Sequence, residues 1–411
     1  MADDSTEPCP DQVEPGLDEK TADSTHADDK KKEEILEACR FRDLDALRAL
    51  AESPGGFISD VLRQQAWPIL LGTPPNQDKP EADSPSRESL PPHRDEDQVQ
   101  LDVNRAFIYY PDNQTPSQLT AQKTHLSTLI TTLLRRHPYL CYFQGYHDIA
   151  QVLLLLLPPP TLLPSLSRLS LFHLRDFMLP SLSPAITQLR LIPSILSLAD
   201  PPLARHLSGI EPFFALAGTL TMYAHDLPTL PTVARLFDVL LARHPAFTLY
   251  LFAALVRSRR EELFEVPREE PEILHSILSK LPAHLDLDAL VTDAAALWDK
   301  FPPEKLAGWR GVSRWSVLKT GGCVARDGEK EVVPTAEQGR VWFERQVREL
   351  VWRKRRERVS GWLWKHRRPV RAVGVAVLVA LVAVWLRRGP VPVPVVTGLG
   401  YVEALVGMWW R

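Results

Sequence analysis

Residues 116–157 read PSQLTAQKTHLSTLITTLLRRHPYLCYFQGYHDIAQVLLLLL, and this stretch decides the fold class. Leu119, Leu126, Leu129, Ile130, Leu133 and Leu134 recur at helical spacing, which predicts a helix over 116–136 with one buried face. After a polar interruption, residues 145–157 predict a second helix, apolar on every side and therefore buried all round. The same pattern extends in both directions. Ile35, Leu36, Cys39, Leu44, Leu47 and Leu50 predict a helix that ends at Ser53-Pro54-Gly55-Gly56, and Phe57 to Gln65 predicts the next. Helices are also expected over 163–178, 184–198, 212–225, 231–242, 246–264, 271–280 and 286–299. Breaks at Pro158-Pro159-Pro160, Pro180, Pro201-Pro202, Pro228, Pro245 and Pro267 separate them. Alternation of the strand type is scarce, so the expectation is an all-α fold of many short helices.

The chain has 411 residues, 45% hydrophobic and 24% charged, enough for a sizeable core. Its net charge of −3 makes no case for nucleic acid. Cys9, Cys39, Cys141 and Cys323 lack metal-ligand or CxxC spacing, which favours reduced thiols over a disulfide framework. The acidic, non-apolar opening MADDSTEPCPDQVEPG does not read as a signal peptide. Residues 1–30 are acidic and aperiodic, and are expected to be disordered. A globular domain is expected over 31–300, interrupted by a Pro-, Ser- and charge-rich disordered insert at 73–97. Residues 301–368 read as a weakly patterned linker followed by a basic, Trp-containing helix before a membrane.

At the C-terminal end, AVGVAVLVALVAVWL (372–386) lies between Arg371 and Arg387-Arg388. A membrane crossing takes about 20 apolar residues for about 30 Å of hydrocarbon. This uncharged run of 15 residues covers roughly 22 Å at ~1.5 Å per residue. Arginine snorkelling and a thin bilayer narrow the gap, so a transmembrane anchor is expected over 369–388, with an apolar tail at 389–411. The basic run ahead of it places the domain in the cytosol by the positive-inside bias. Short length and basic flanks suit the endoplasmic reticulum membrane or the early Golgi, with the mitochondrial outer membrane as the alternative.

Three ordered motifs lie in the helical region. They are Arg63 with Trp67-Pro68-Ile69-Leu70-Leu71-Gly72, then Val99-Gln100-Leu101-Asp102-Val103-Asn104-Arg105, then Tyr142-Phe143-Gln144-Gly145-Tyr146-His147-Asp148-Ile149. In that order they resemble the TBC family of Rab GTPase-activating proteins, whose motifs run Arg…W-x-x-L-L-G, I-x-x-D-x-x-R and Y-x-Q-G-x-x-D-I. EPFFAL at 211–216 and LTMYAHDL at 220–227 echo the family's later helices, and the likeness covers roughly 55–300. With the C-terminal apolar segment, it is similar to the membrane-anchored, Gyp8-type branch acting in the early secretory pathway. The chain departs from the pattern at Gly218, where an aromatic residue is common, and at Leu101 and Ala106.

The resemblance implies a GTPase activator, not an enzyme with its own turnover. Hydrolysis of GTP builds negative charge that slow GTPases cannot fully stabilise, and an inserted arginine accelerates it by about 10³–10⁵. A glutamine amide orients the attacking water. By motif position, Arg105 is implied as the arginine finger and Gln144 as the glutamine finger, with Asp102, Tyr142, Gly145 and Asp148 in support. Asp102, three residues before Arg105 on the same helical face, is expected either to position its guanidinium or to close a local network. The implied partner is a GTP-bound Rab/Ypt-family GTPase, which carries GTP and Mg, so no cofactor or metal of the chain's own is expected. A catalytically silent Rab-binding scaffold is the alternative. His147, His225 and His244 lack metal-ligand spacing, and neither a G-x-S-x-G elbow nor a P-loop occurs.

Overall fold

The structure is a computed structural model, and it describes residues 18–74, 89–111, 114–282, 285–321, 325–327 and 330–388. Met1–Val347 form one compact unit and Arg348–Arg411 a second. The first unit is built almost wholly from short helices: α1 (Asp18–Phe41), α2 (Leu44–Glu52), α3 (Asp60–Leu70), α4 (Glu96–Val103), α5 (Pro116–Arg136), α6 (Tyr146–Leu156) and α7 (Pro159–Phe172). They continue as α8 (Ser183–Leu189), α9 (Leu191–Ala199), α10 (Pro201–His206), α11 (Leu216–Leu220), α12 (Leu230–Ala242), α13 (Phe247–Ser258) and α14 (Arg260–Glu265). After these come α15 (Pro271–Leu278), α16 (Leu287–Lys300), α17 (Val317–Thr320) and α18 (Ala336–Lys365), whose residues from Arg348 on belong to the second unit together with α19 (Arg367–Arg388).

Local chemistry accounts for the element that decides the fold. Thr115 caps α5 by accepting from the Gln118 amide while the Gln118 side chain accepts from the Thr115 N–H, a reciprocal capping box, and Pro116 follows where no amide is needed. Helices α6, α12 and α13 are apolar almost all round and form the centre, with α13 packed between α9 and α16. Arg235 of α12 ties the end of α2 to α16, donating to the carbonyls of Ala51 at 2.8 Å and Ser53 at 3.1 Å and to Asp288 at 2.7 Å.

Several expected spans divide. The 184–198 helix is two, because Pro193 sits in the first turn of α9 and cannot extend the ladder from α8. The 212–225 helix becomes a 3₁₀ turn at Pro212–Ala215 and α11, ended by left-handed Met222 (φ 51) and Tyr223 (φ 64). The run from Ile35 to Leu50 breaks at Arg42 (φ 53), and Asp43 caps α2. The triple proline at 158–160 opens α7 and does not break it.

Expectations of disorder, linker and anchor are corrected. Helix α1 begins at Asp18, inside the segment expected to be disordered; Ile35, Ala38 and Cys39 bury its far end and give the helix a packed base. Within 73–97, Thr73 and His93 are buried, and 89–97 are ordered beside Leu140, whose carbonyl lies 3.1 Å from His93 Nε2. Residues 301–347 are not a loose linker. Asp176, fully desolvated, accepts from Ser316 Oγ at 2.5 Å, Gln188 Nε2 at 2.6 Å and Gln346 Nε2 at 2.9 Å, and that buried acceptor pins the segment to the domain. A small antiparallel hairpin, β1 (Ala325–Asp327) with β2 (Lys330–Val332), adds a strand pair to the otherwise helical fold.

No helix among the described residues is long and apolar enough to cross a membrane, which corrects the transmembrane helix expected at 369–388. That segment is helical in α19, but arginines bound its apolar run, which falls short of a bilayer's hydrocarbon. The expected tail at 389–411, like residues 1–17 and 75–88, lies outside the described residues. Cys39 and Cys141 are free thiols, and burial pushes Cys39 up to about 11.

Candidate functional site

Arg105 stands just beyond the end of α4, in a turn closed by its own N–H on the Asp102 carbonyl at 2.9 Å. Asp102, on the last turn of α4, is fully buried and gathers donors around its carboxylate. Its Oδ1 accepts from Arg105 Nη2 at 2.9 Å and Gln98 Nε2 at 3.2 Å, and its Oδ2 from Tyr142 Oη at 2.9 Å. The Arg105 side chain is 64% exposed, so one corner of the guanidinium is tethered and the rest faces solvent. Tyr142 is held from behind by its own N–H on Asp95 Oδ2 at 2.9 Å. Burial, and then the Asp102 carboxylate, push its phenol well above the ordinary range, so it stays a donor.

Gln144 is exposed on the connection into α6. Gly145 follows with φ +97, and a Cβ there would lie 2.7 Å from Thr221 Cγ2. Both the left-handed backbone and the close approach of the 221–227 turn require glycine. Asp148, in the first turn of α6, bridges two histidines. His147 Nε2 lies 3.2 Å from its Oδ1, and His225 Nδ1 lies 3.0 Å from its Oδ2. His147 is buried, which pulls its titration below the ordinary histidine range despite Asp148 and Asp102 nearby. His225, on the rim, is raised by its hydrogen bond to Asp148.

Between these elements runs a groove of about 580 Å³, lined by Arg105, Gln144, Gly145, Asp148, Thr221 and His225 among others. Its outer wall is the 106–111 loop, pinned by residues that the sequence did not single out. The N–H of Phe107 (φ 62) donates to Gln151 Oε1 at 3.0 Å, Gln151 Nε2 donates to the Tyr110 carbonyl at 3.3 Å, and Tyr110 Oη donates to the Ala224 carbonyl at 3.3 Å. The loop leaves Ile108 73% exposed, with Tyr109 also exposed. The signal for Gln151 was a polar residue in an otherwise apolar helix. Among the described residues lining the groove, Arg105 is the only lysine or arginine. No group of three or more His, Cys, Asp or Glu among the described residues is arranged to hold a metal. The structure therefore brings all six sequence-derived residues to one groove: Arg105, Gln144 and Asp148 line it, Asp102 and Tyr142 support Arg105, and Gly145 admits the turn.

The sequence profile of the Rab-GTPase-TBC domain matches residues 60–264, which include every one of these side chains. GTPase-activating protein gyp10 of Schizosaccharomyces pombe is 32% identical over 323 residues, covering 78% of this chain and 84% of that protein. The chain belongs to the TBC family of Rab GTPase-activating proteins. TBC1 domain family member 20 of Bos taurus is 33% identical over 282 residues, 68% of this chain and 69% of that protein. GTPase-activating protein GYP8 of Saccharomyces cerevisiae is 31% identical over 231 residues, 50% of this chain and 45% of that protein.

The remaining TBC motif turns out to serve architecture. Arg63 and Trp67 of α3 converge on Asp238, a fully buried carboxylate in the middle of α12. Arg63 Nη2 donates at 3.0 Å, Trp67 Nε1 at 2.8 Å and the Phe57 N–H at 3.0 Å, while Arg63 Nη1 reaches Asp60 at 2.9 Å. Arg63 Nε donates as well, to Oδ1 at 3.0 Å, so each oxygen of Asp238 has two donors to face, which is what a buried carboxylate needs. At Gly218, where the TBC pattern commonly has an aromatic residue, a Cβ would lie 3.2 Å from the ring of Tyr223, so the tyrosine of the next turn already occupies that space.

Proposed function

We propose that this chain accelerates GTP hydrolysis by a GTP-bound Rab/Ypt-family GTPase, inserting Arg105 as the arginine finger and Gln144 as the glutamine finger. The supporting observation is the exposed Arg105 guanidinium, held at one corner by fully buried Asp102 on the rim of the groove that Gln144 also lines. An arginine so placed can meet the charge that develops on the transferring phosphoryl group, and the amide of Gln144 can hold the attacking water. GTP and Mg²⁺ come with the partner. Exposed Ile108 and Tyr109 beside Arg105 provide apolar contact area for that partner.

The seat of action is the endoplasmic reticulum or early Golgi membrane, where the chain regulates vesicle traffic between the two. This reading draws on the likeness to the Gyp8-type branch and on α19, where Val375, Val377, Leu378, Val379, Leu381, Val382, Val384 and Trp385 are each 47–65% exposed. So large an apolar surface calls for a lipid cover.

Arg105→Ala and Gln144→Ala are the test. In single-turnover hydrolysis across a panel of GTP-loaded Rab GTPases, Arg105→Ala loses at least about 10³ in stimulated rate, and Gln144→Ala is also severely impaired, while both keep the parent's thermal unfolding. Parent-like rates from both variants overturn the assignment and leave the silent scaffold.

A further inference from the structure

The second unit carries a face that the activator mechanism does not use. Residues 348–366 of α18 hold seven Lys and Arg against two Glu. At 100° per residue, Val351, Trp352, Val359 and Trp362 share an arc of roughly 100° on the helix circumference. All four are exposed, Val351 and Trp352 at 62% each. The charges are sorted relative to that arc. Arg355 lies within it, Arg356 borders it on one side, and Arg358 and Lys354 border it on the other. Of the two acids, Glu357 falls on the far side, and Glu349, outside the arc beyond Arg356, pairs with Arg353 at 2.8 Å. Among the described residues Lys354, Arg355 and Arg358 have no acidic partner, and Arg356 lies over the Trp352 ring at 5.7 Å.

We propose that this face of α18 binds the surface of an anionic bilayer, with the tryptophans at the headgroup level and the arginines on lipid phosphates and carboxylates. Tryptophan suits that depth because its ring is apolar and its N–H wet. Arginine suits it because its fork pairs with two anionic oxygens. A wholly basic face would serve nucleic acid or an acidic protein equally well. The apolar residues interleaved with the arginines, and the exposed apolar helix that follows directly at Arg367, favour lipid. The proposal rests on the reading of α19 as a membrane-held segment and adds what that segment alone lacks, a preference for lipid charge.

The test reconstitutes the full chain with vesicles of phosphatidylcholine alone, or of phosphatidylcholine with phosphatidylserine, and follows hydrogen–deuterium exchange of peptides from 348–366. Exchange in this stretch slows at least about tenfold with the anionic vesicles relative to the neutral ones, and added salt reverses the effect. The variant Lys354→Gln/Arg355→Gln/Arg356→Gln/Arg358→Gln loses the difference between the two vesicles. Equal exchange in both vesicle types, equal protection without vesicles, or an unaltered difference in the variant would overturn the proposal. Failure to float with neutral vesicles counts against α19 alone, because the anionic comparison still reads α18.

Discussion

Asp102→Asn separates the role of the arginine from the role of the residue that holds it. Asparagine keeps the volume of Asp102, so the end of α4 stays packed. Its amide oxygen can still accept from Arg105 and Gln98, which lie 2.9 and 3.2 Å from Oδ1. On the other side, the new amide donates to Tyr142 Oη, and that hydroxyl changes from donor to acceptor. What disappears is charge. A hydrogen bond to a charged acceptor is worth about 1.5–3 kcal/mol and a neutral one about 0.5–1.5. The 64% exposure of the Arg105 side chain cuts the difference further, to about 1 kcal/mol. If that tether fixes the approach of the finger, kcat for stimulated hydrolysis falls about three- to tenfold, since ~1.4 kcal/mol is tenfold in rate. KM for the GTPase is unchanged, because the apolar wall of the groove is untouched. Arg105→Ala, in contrast, loses the phosphoryl contact itself and at least about 10³. Single-turnover hydrolysis at varied GTPase-activator concentration gives both parameters, and thermal unfolding controls for the fold. Parent-like rates for Asp102→Asn would refute the tether. Rates as low as those of Arg105→Ala, with unfolding unchanged, would refute the magnitude and put Asp102 in the chemistry.

Asp238→Ala strands the buried Arg63 guanidinium and should destabilise the first unit by about 3–5 kcal/mol, read as a lowered thermal midpoint; a midpoint within a degree or so of the parent's would refute the structural role of the Arg63–Trp67 motif. His225 titrates above its ordinary value because it pairs with Asp148, so the pairing stabilises the fold below the unfolded-state pKa of about 6.5 and is lost as pH rises through the raised folded value. NMR titration should therefore find His225 above, and His147 below, that value, and His225→Gln should lower the thermal midpoint in mild acid but not in mild base; the reverse order of the two histidines would refute the assignment.

Helix α5 was legible to the residue because its signals are local: a capping threonine, a proline at the first position, a glutamine three residues on, and apolar residues at one spacing. The motif residues of the groove were legible because short motifs carry them. What escaped the sequence depends on distant partners. Asp238 lies 175 positions from Arg63, and nothing in α12 marks it as that arginine's acceptor. The docking of 301–347 rests on Ser316 and Gln346 reaching Asp176 across 140 and 170 positions. Gln151 braces the groove through backbone atoms of the 106–111 loop, and those atoms carry no sequence signature. The splitting of 184–198 was there to be read in Pro193, but continuous apolar periodicity on both sides outweighed it.

The two arginine–aspartate pairs of the family's motifs show why the same chemical couple serves opposite ends. In both, the carboxylate is fully buried. Arg63 is buried with its partner, only 7% of its side chain exposed, and the Phe57 amide and Trp67 indole complete the shell around Asp238. Removing either member leaves an uncompensated buried charge, so that pair cannot open without opening the fold. Arg105 reaches its carboxylate from solvent, and water stands ready to replace the contact. Solvent competition keeps so exposed a pair to about 1 kcal/mol or less, so the tether serves to aim Arg105 and does little for the stability of the fold. Tyr142 and Gln98 also donate to Asp102, so the buried carboxylate is fixed independently of Arg105 and can hold one corner of its guanidinium while the rest faces solvent. A carboxylate fixed by its own donors beside an exposed cation is the arrangement that the proposed finger role calls for: Arg105 is aimed without being covered.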